Sequence, residues 1–288
     1  MSEKLTFGVV GLGAMGGGMT HALVDAGHRV LGVDPDPTAC ETARSVGAEI
    51  QSNLEELLDS ADMIVICVAT ETALTDIYRR IATKIATGPQ MVIETSTMAP
   101  DRAQSLSDIS RASGRRHVEA LLVGISQDAA AGRLYHFVGG DEADVAHARP
   151  FFDATGRAYK HLGPIGSGAT AKVLNNAIGN ATMLAFTEAI VAGEAAGIDP
   201  HAFIRAIEEA GGAGMSVVFG RHAHWAIGAE EQPPTPINRK DMSELADMLE
   251  CHGLSYPLLS RAIRAFAILP ETPGLVQAYA QSLCSEKE

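Results

Sequence analysis

Residues 11–19 read GLGAMGGGM, and the reading of this stretch decides the fold. Gly11, Gly13 and Gly16 stand at G-x-G-x-x-G spacing. The run before them, LTFGVV from Leu5 to Val10, is short, apolar and rich in strand formers. After them an apolar pattern through His21, Ala22, Leu23 and Val24 reaches Gly27, which suits a helix closed by glycine. RVLGVD follows, a second strand ending on Asp34. Strand, glycine turn, helix, strand and acid make a dinucleotide-binding unit, whereas a merely structural glycine turn needs none of this context. The glycines allow a tight turn and close approach to a pyrophosphate seated on the helix N-terminus. Gly11, Leu12, Gly13, Ala14, Met15 and Gly16 are therefore the expected phosphate-side residues. Asp34 stands where a carboxylate accepts the two ribose hydroxyls of NAD. It would repel a 2′-phosphate, and the first arginine after it is Arg44. NAD is the expected cofactor, with NADP second.

The alternation continues. Ala61–Val68 (ADMIVICV) is an apolar strand suited to a parallel sheet buried on both faces. LEELLDSA before it and ALTDIYRRIATKIA after it read as helices. Met91–Ile93 is a strand leading into ETSTMAP, Asp101–Ser113 is helical, and His117–Val123 and Leu134–Val138 are strands, the last closed by Gly139-Gly140. This is a doubly wound α/β (Rossmann) sheet, in which ligands lie beyond the carboxyl ends of the strands. Val68, Ala69, Ser96, Thr97, Val123 and Gly124 fall at such ends. Ser96-Thr97 equally suits an N-cap for the next helix.

After Gly163-Pro164 only helical patterns follow: 167–196, 200–210, 214–227, 239–252, 255–268 and one from Gly274. Two domains are expected: residues 1–163, a dinucleotide-binding domain, and residues 164–288, an all-helical substrate and dimerisation domain. A helix of about 30 residues would run about 45 Å, long enough to be shared between domains and to pack on a second subunit as a homodimer or homotetramer. Its start, GSGATAKVLNN (166–176), carries Lys172, Asn175 and Asn176 at i, i+3 and i+4, on one face. An ammonium on the inner face of an apolar helix is costly unless paired or neutralised. The face reads as a reaction site around Lys172, against the plainer reading of a snorkelling lysine. Burial beside an oxidised nicotinamide would push that amine below its usual range.

A net charge of −13 argues against nucleic acid, whose phosphates need Lys and Arg. It leaves room for a small carboxylate substrate. The four cysteines (Cys40, Cys67, Cys251, Cys284) are scattered, so reduced thiols in the cytoplasm are expected. The start, Met1-Ser2-Glu3-Lys4, has no signal-peptide pattern. The apolar stretch 174–196 is broken by Asn175, Asn176, Asn180, Glu188 and Glu194, so no membrane span is expected. His222 and His224 point apart on a helix, and no metal site is expected.

Four blocks together resemble the β-hydroxyacid dehydrogenase family, which includes 3-hydroxyisobutyrate dehydrogenases and tartronate semialdehyde reductases. They are GLGAMGGGM, ETSTMAP, GSGATAKVLNN and Arg239-Lys240-Asp241, in the family's order and spacing, and the resemblance extends over nearly the whole chain. The resemblance implies hydride transfer between NAD(P) and a 3-hydroxy acid or related small alcohol or aldehyde. It implies Lys172 as the catalytic lysine, Asn176 as a substrate-binding asparagine, and Thr97 and Lys240 at the cofactor. Val123, Gly124 and Ile125 fall on the family's substrate loop. There the usual Asp-Ala-Pro-Val-Ser-Gly-Gly becomes Glu119-Ala120-Leu121-Leu122-Val123-Gly124-Ile125, which implies a tighter, more apolar pocket. Imine reductases share the architecture but usually lack the lysine. An NAD-binding sensor would not need it. The larger decarboxylating 6-phosphogluconate dehydrogenases have a longer helical part.

Overall fold

The computed structural model describes residues 4–88, 90–209, 235–250 and 257–268. The chain divides into two compact units, Met1–Lys172 and Val173–Glu288. The first unit is built on one eight-stranded sheet of order β3-β2-β1-β4-β5-β6-β7-β8. Its strands are β1 (Thr6–Val10), β2 (Arg29–Val33), β3 (Glu49–Ile50), β4 (Met63–Ile66), β5 (Met91–Glu94), β6 (Arg116–Val123), β7 (Leu134–Gly139) and β8 (Gly156–Gly163). The helices between them are α1 (Ala14–Asp25), α2 (Pro37–Ser45), α3 (Leu54–Ser60), α4 (Glu71–Thr83), α5 (Pro100–Ala112), α6 (Ser126–Ala130), α7 (Glu142–His147) and α8 (Arg149–Thr155).

The strand period of two explains the burial. Phe7, Val9, Met63, Val65, Met91 and Ile93 face one core, with Met19 and Leu23 of α1 and Phe151 and Phe152 of α8. Val10, Ile64, Ile66 and Val92 face the other, with Leu57, Tyr78 and Leu106 of α3, α4 and α5. A sheet covered on both faces has no polar side to show, hence the unbroken apolar runs.

Strands β1, β2, β3, β4, β5 and β6 pair in parallel. Strand β7 runs antiparallel to β6. The connection 124–133 is too short for a parallel crossover, which takes a dozen or more residues. Through α7 and α8 the chain does cross over, and β8 pairs parallel to β7. β8, GRAYKHLG, extends the sheet through 156–163, where no strand is expected from the sequence. Its burial alternates between partial and exposed and it carries Arg157, Lys160 and His161, as edge strands do.

Helix α9 (Ser167–Ala195) begins in the first unit and continues into the second. Also in the second unit are α10 (Pro200–Glu209), α11 (Thr235–Glu250) and α12 (Pro257–Ile268). Helix α11 starts at Thr235, four residues ahead of the expected 239. Pro236 is tolerated there because the first-turn N–H groups have no intrahelical partner. Val173, Ala177, Met183 and Leu184 pack with Met242, Leu245, Met248, Ala262 and Phe266. The expected helices at 214–227 and from Gly274, with His222 and His224, lie outside the described residues. Among the described residues no helix is long and apolar enough to cross a membrane.

Candidate active site

The glycine turn forms as its spacing requires. Gly11 has φ +93°, and a Cβ there would lie 2.2 Å from the Cys67 carbonyl oxygen. A Cβ on Gly16 would lie 1.9 Å from the Gly11 carbonyl oxygen. Side chains at either position would push the turn apart. Gly13 is the N-cap of α1, has no side-chain cap, and faces open space. The first turn of α1 contains no acid. Its unpaired N–H groups and positive helix end suit a pyrophosphate.

Asp34, at the end of β2, reaches back to this turn. Its Oδ2 accepts the Leu12 N–H at 2.6 Å and its Oδ1 accepts the Asp36 N–H at 2.8 Å. Each carboxylate oxygen can accept a second hydrogen bond, so room remains for ribose hydroxyls. The residues therefore fit a dinucleotide: glycines where backbones touch, an open helix end, and an anchored acid beside it.

The ends of β4 and β5 adjoin the turn. The Val68 N–H donates to Ser96 Oγ at 3.1 Å. Thr95 Oγ donates to the Ile66 carbonyl at 2.7 Å. Ser96 is buried, Thr97 and Val68 are half-buried, and Ala69 is exposed. The expected N-cap role of Ser96-Thr97 is not what forms. Helix α5 starts at Pro100, Ala99 is its N-cap, and no side chain caps it. The Ser96 hydroxyl instead ties two strand ends together. A fully buried Glu94 stands behind it, its Oε1 accepting the Ser96 N–H at 2.7 Å and its Oε2 the Tyr78 hydroxyl at 2.9 Å. Burial outweighs these hydrogen bonds and pushes the Glu94 carboxyl up to about 7.

At the end of β6, Val123 and Ile125 are half-buried and Gly124 is exposed with φ +146°. The Ile125 N–H donates to Asp128 Oδ2 at 3.2 Å. Helix α6 then packs on α1 so closely that a Cβ on Gly18 would lie 2.7 Å from Ala129 Cβ. The guanidinium of Arg133 lies 3.5 Å from Asp128 Oδ1 and is largely exposed.

On α9, Lys172 and Asn176 are half-buried while Asn175 is exposed. This corrects the expectation of three side chains on an inner face. At about 100° per residue, Asn176 falls about 40° to one side of Lys172 and Asn175 about 60° to the other, which carries it out to solvent. In the second unit the Asn176 Nδ2 donates to Asp241 Oδ2 at 2.9 Å. Asp241 is 8% exposed, so the Lys240-Asp241 pair is not the solvated surface pair that its composition alone allows. Lys240 is half-buried on α11. Glu119, Glu94 and Asp241 are the partners that sequence reasoning did not assign. Among the described residues no group of His, Cys, Asp and Glu could hold a metal ion.

Residues 6–163 match the family model of the NAD binding domain of 6-phosphogluconate dehydrogenase. Residues 166–275 match the NAD-binding model of NADP-dependent 3-hydroxyisobutyrate dehydrogenase. A probable 3-hydroxyisobutyrate dehydrogenase of Mycobacterium bovis is 29% identical over 91% of each chain. An NAD-dependent L-serine dehydrogenase of Pseudomonas aeruginosa is 27% identical over 94% of this chain and 93% of its own. The solved Mycobacterium tuberculosis 3-hydroxyisobutyrate dehydrogenase with L-serine superposes with a TM-score of 0.84 at 27% identity, covering 98% of this chain and 99% of that one.

Proposed function

The chain belongs to the β-hydroxyacid dehydrogenase family of NAD(P)-dependent oxidoreductases, and from that premise we propose that it interconverts a small 3-hydroxy acid, or a related alcohol, with its carbonyl form. Bound at the Gly11–Gly16 turn, the nicotinamide cofactor would supply the hydride-accepting and hydride-donating chemistry. The chain's own residues hold the reactants and move the proton. Lys172 takes the hydroxyl proton in oxidation and returns it in reduction. Asn176 orients the substrate oxygen, with its amide held by Asp241. Gly11 to Gly16 cradle the pyrophosphate, and Asp34 selects NAD over NADP. Val68, Ala69 and Thr97 line the cofactor, Val123, Gly124 and Ile125 line the substrate, and the family pattern gives Lys240 a cofactor role.

The observation that carries the reading is the glycine turn with its anchored acid, in a chain that presents a lysine on the first turns of α9. The substrate is a small molecule, and the family's substrates favour one with a carboxylate. The scattered cysteines support a cytoplasmic location. Leu174 and Ile178, 38% and 65% exposed one turn apart on α9, support a homodimer or homotetramer. A panel of 3-hydroxy acids, including L-serine, and short aldehydes, read by NADH absorbance, tests the reaction. Turnover of at least one member with NAD is expected. Turnover of none, with NAD bound, would leave the sensor reading standing.

A further inference from the structure

Glu119 lies on β6 and is 1% exposed, the kind of buried charge that needs a reason. Its Oε1 accepts the Gly166 N–H, and its Oε2 accepts the Ala169 N–H at 3.1 Å. These groups belong to the residue before α9 and to its first turn, where helical N–H groups have no intrahelical acceptor. The packing around Glu119 is fitted to it. A Cβ on Gly139 would lie 2.5 Å from its Oε2, and a Cβ on Gly168 would lie 2.7 Å from the same atom. Burial raises the Glu119 carboxyl above its ordinary range, opposed by the Gly166, Ala169 and Gly168 N–H groups.

We propose that Glu119 is a positioning residue for the reaction: it fixes the start of α9 against the sheet and so sets where Lys172 begins. This rests on the reading of Lys172 as the acid and base. Lys172 is three residues past Ala169, about 4.5 Å along the axis at 1.5 Å per residue. A helix start whose Gly166 and Ala169 N–H groups are both held by one strand residue resists sliding and turning. Displacement of a catalytic group by about 1 Å can cost about a hundredfold in rate. The carboxylate also sits at the positive end of the helix, which favours its charged form there.

Glu119→Gln keeps the shape but replaces one acceptor oxygen with an NH2 that opposes the backbone donors. Gly168→Ala leaves Glu119 intact but sets a methyl against its Oε2 and against the Phe137 carbonyl oxygen and Gly139 nitrogen of β7, so it moves the helix start from the carboxylate and the strand together. Each variant should lower kcat about 10- to 100-fold, leave the KM for NAD within about threefold, and move the pH profile of kcat, because the amine is re-seated. Backbone amide exchange at Gly166, Gly168 and Ala169 should accelerate in both. A general loss of fold would also raise the KM for NAD, since the Gly11–Gly16 turn belongs to the same unit. Faster exchange with kcat and its pH profile unchanged would overturn the proposal, as would unchanged exchange. Lys172→Ala run alongside separates the two readings. Wild-type turnover in that variant removes the role of Lys172 itself. An inactive Lys172→Ala with a normal Glu119→Gln removes only the positioning role.

Discussion

Replacing Glu94 by glutamine should change how stability varies with pH, by an amount that follows from its surroundings. Glu94 has no exposed surface and receives the Ser96 N–H and the Tyr78 hydroxyl. Burial raises its carboxyl from 4.5 to about 7. At about 1.4 kcal/mol per pH unit, that rise corresponds to about 3 kcal/mol. Between those two values the folded protein keeps a proton that the unfolded chain has lost. The contribution is therefore fully present below pH 4.5 and is lost as pH rises through about 7. His117 and His136 act in the opposite sense. Burial lowers them to about 3 and about 4, so their contribution is present above 6.5 and lost as pH falls. They are the same in wild type and variant, and cancel in the difference. Glutamine keeps the size of the side chain and an acceptor oxygen while removing the titration. Urea unfolding followed by circular dichroism, from pH 4.5 to 8, measures both proteins. The difference should move by about 3 kcal/mol in favour of Glu94→Gln as pH rises. A difference constant to within about 0.5 kcal/mol would refute the claim that this carboxyl is held neutral by burial.

Two further perturbations address the ligands. Asp34→Ala removes the acceptor of the Leu12 and Asp36 N–H groups. NAD affinity should fall about tenfold, the worth of one charge-assisted hydrogen bond, and the NAD-to-NADP preference should shrink. Fluorescence titration with NADH and NADPH reads both, and an unchanged ratio would contradict the selectivity role. Asp241→Ala leaves the Asn176 amide without its buried partner. The substrate KM should rise about tenfold, with the KM for NAD nearly unchanged. Equal rises in both constants would count against a substrate role for Asn176.

Much of the first unit was legible because its signals are local. The glycine spacing and the apolar runs report short-range geometry and two-sided burial, and the sheet follows from them. The edge strand β8 was not legible, because a run broken by Arg157, Lys160 and His161 reads as loop until a neighbour supplies the ladder. Ser96 reads as a cap from its place before a helix, but its hydroxyl is taken by Val68 from the adjacent strand. The partners of the candidate site were hidden by distance along the chain. Glu119 meets Gly166 47 residues away, and Asn176 meets Asp241 65 residues away. No periodicity spans such gaps. Asn175 was misplaced because spacing gives an angle between side chains and does not say which side of the arc is covered.

Lys172→Ala tests the central claim most directly, with single-turnover hydride transfer and calorimetric NAD binding measured on the same preparation. Loss of the proton-transfer group should slow turnover by about 100- to 10,000-fold while NAD binds within about threefold of wild type. A variant that turns over at the wild-type rate would contradict the account.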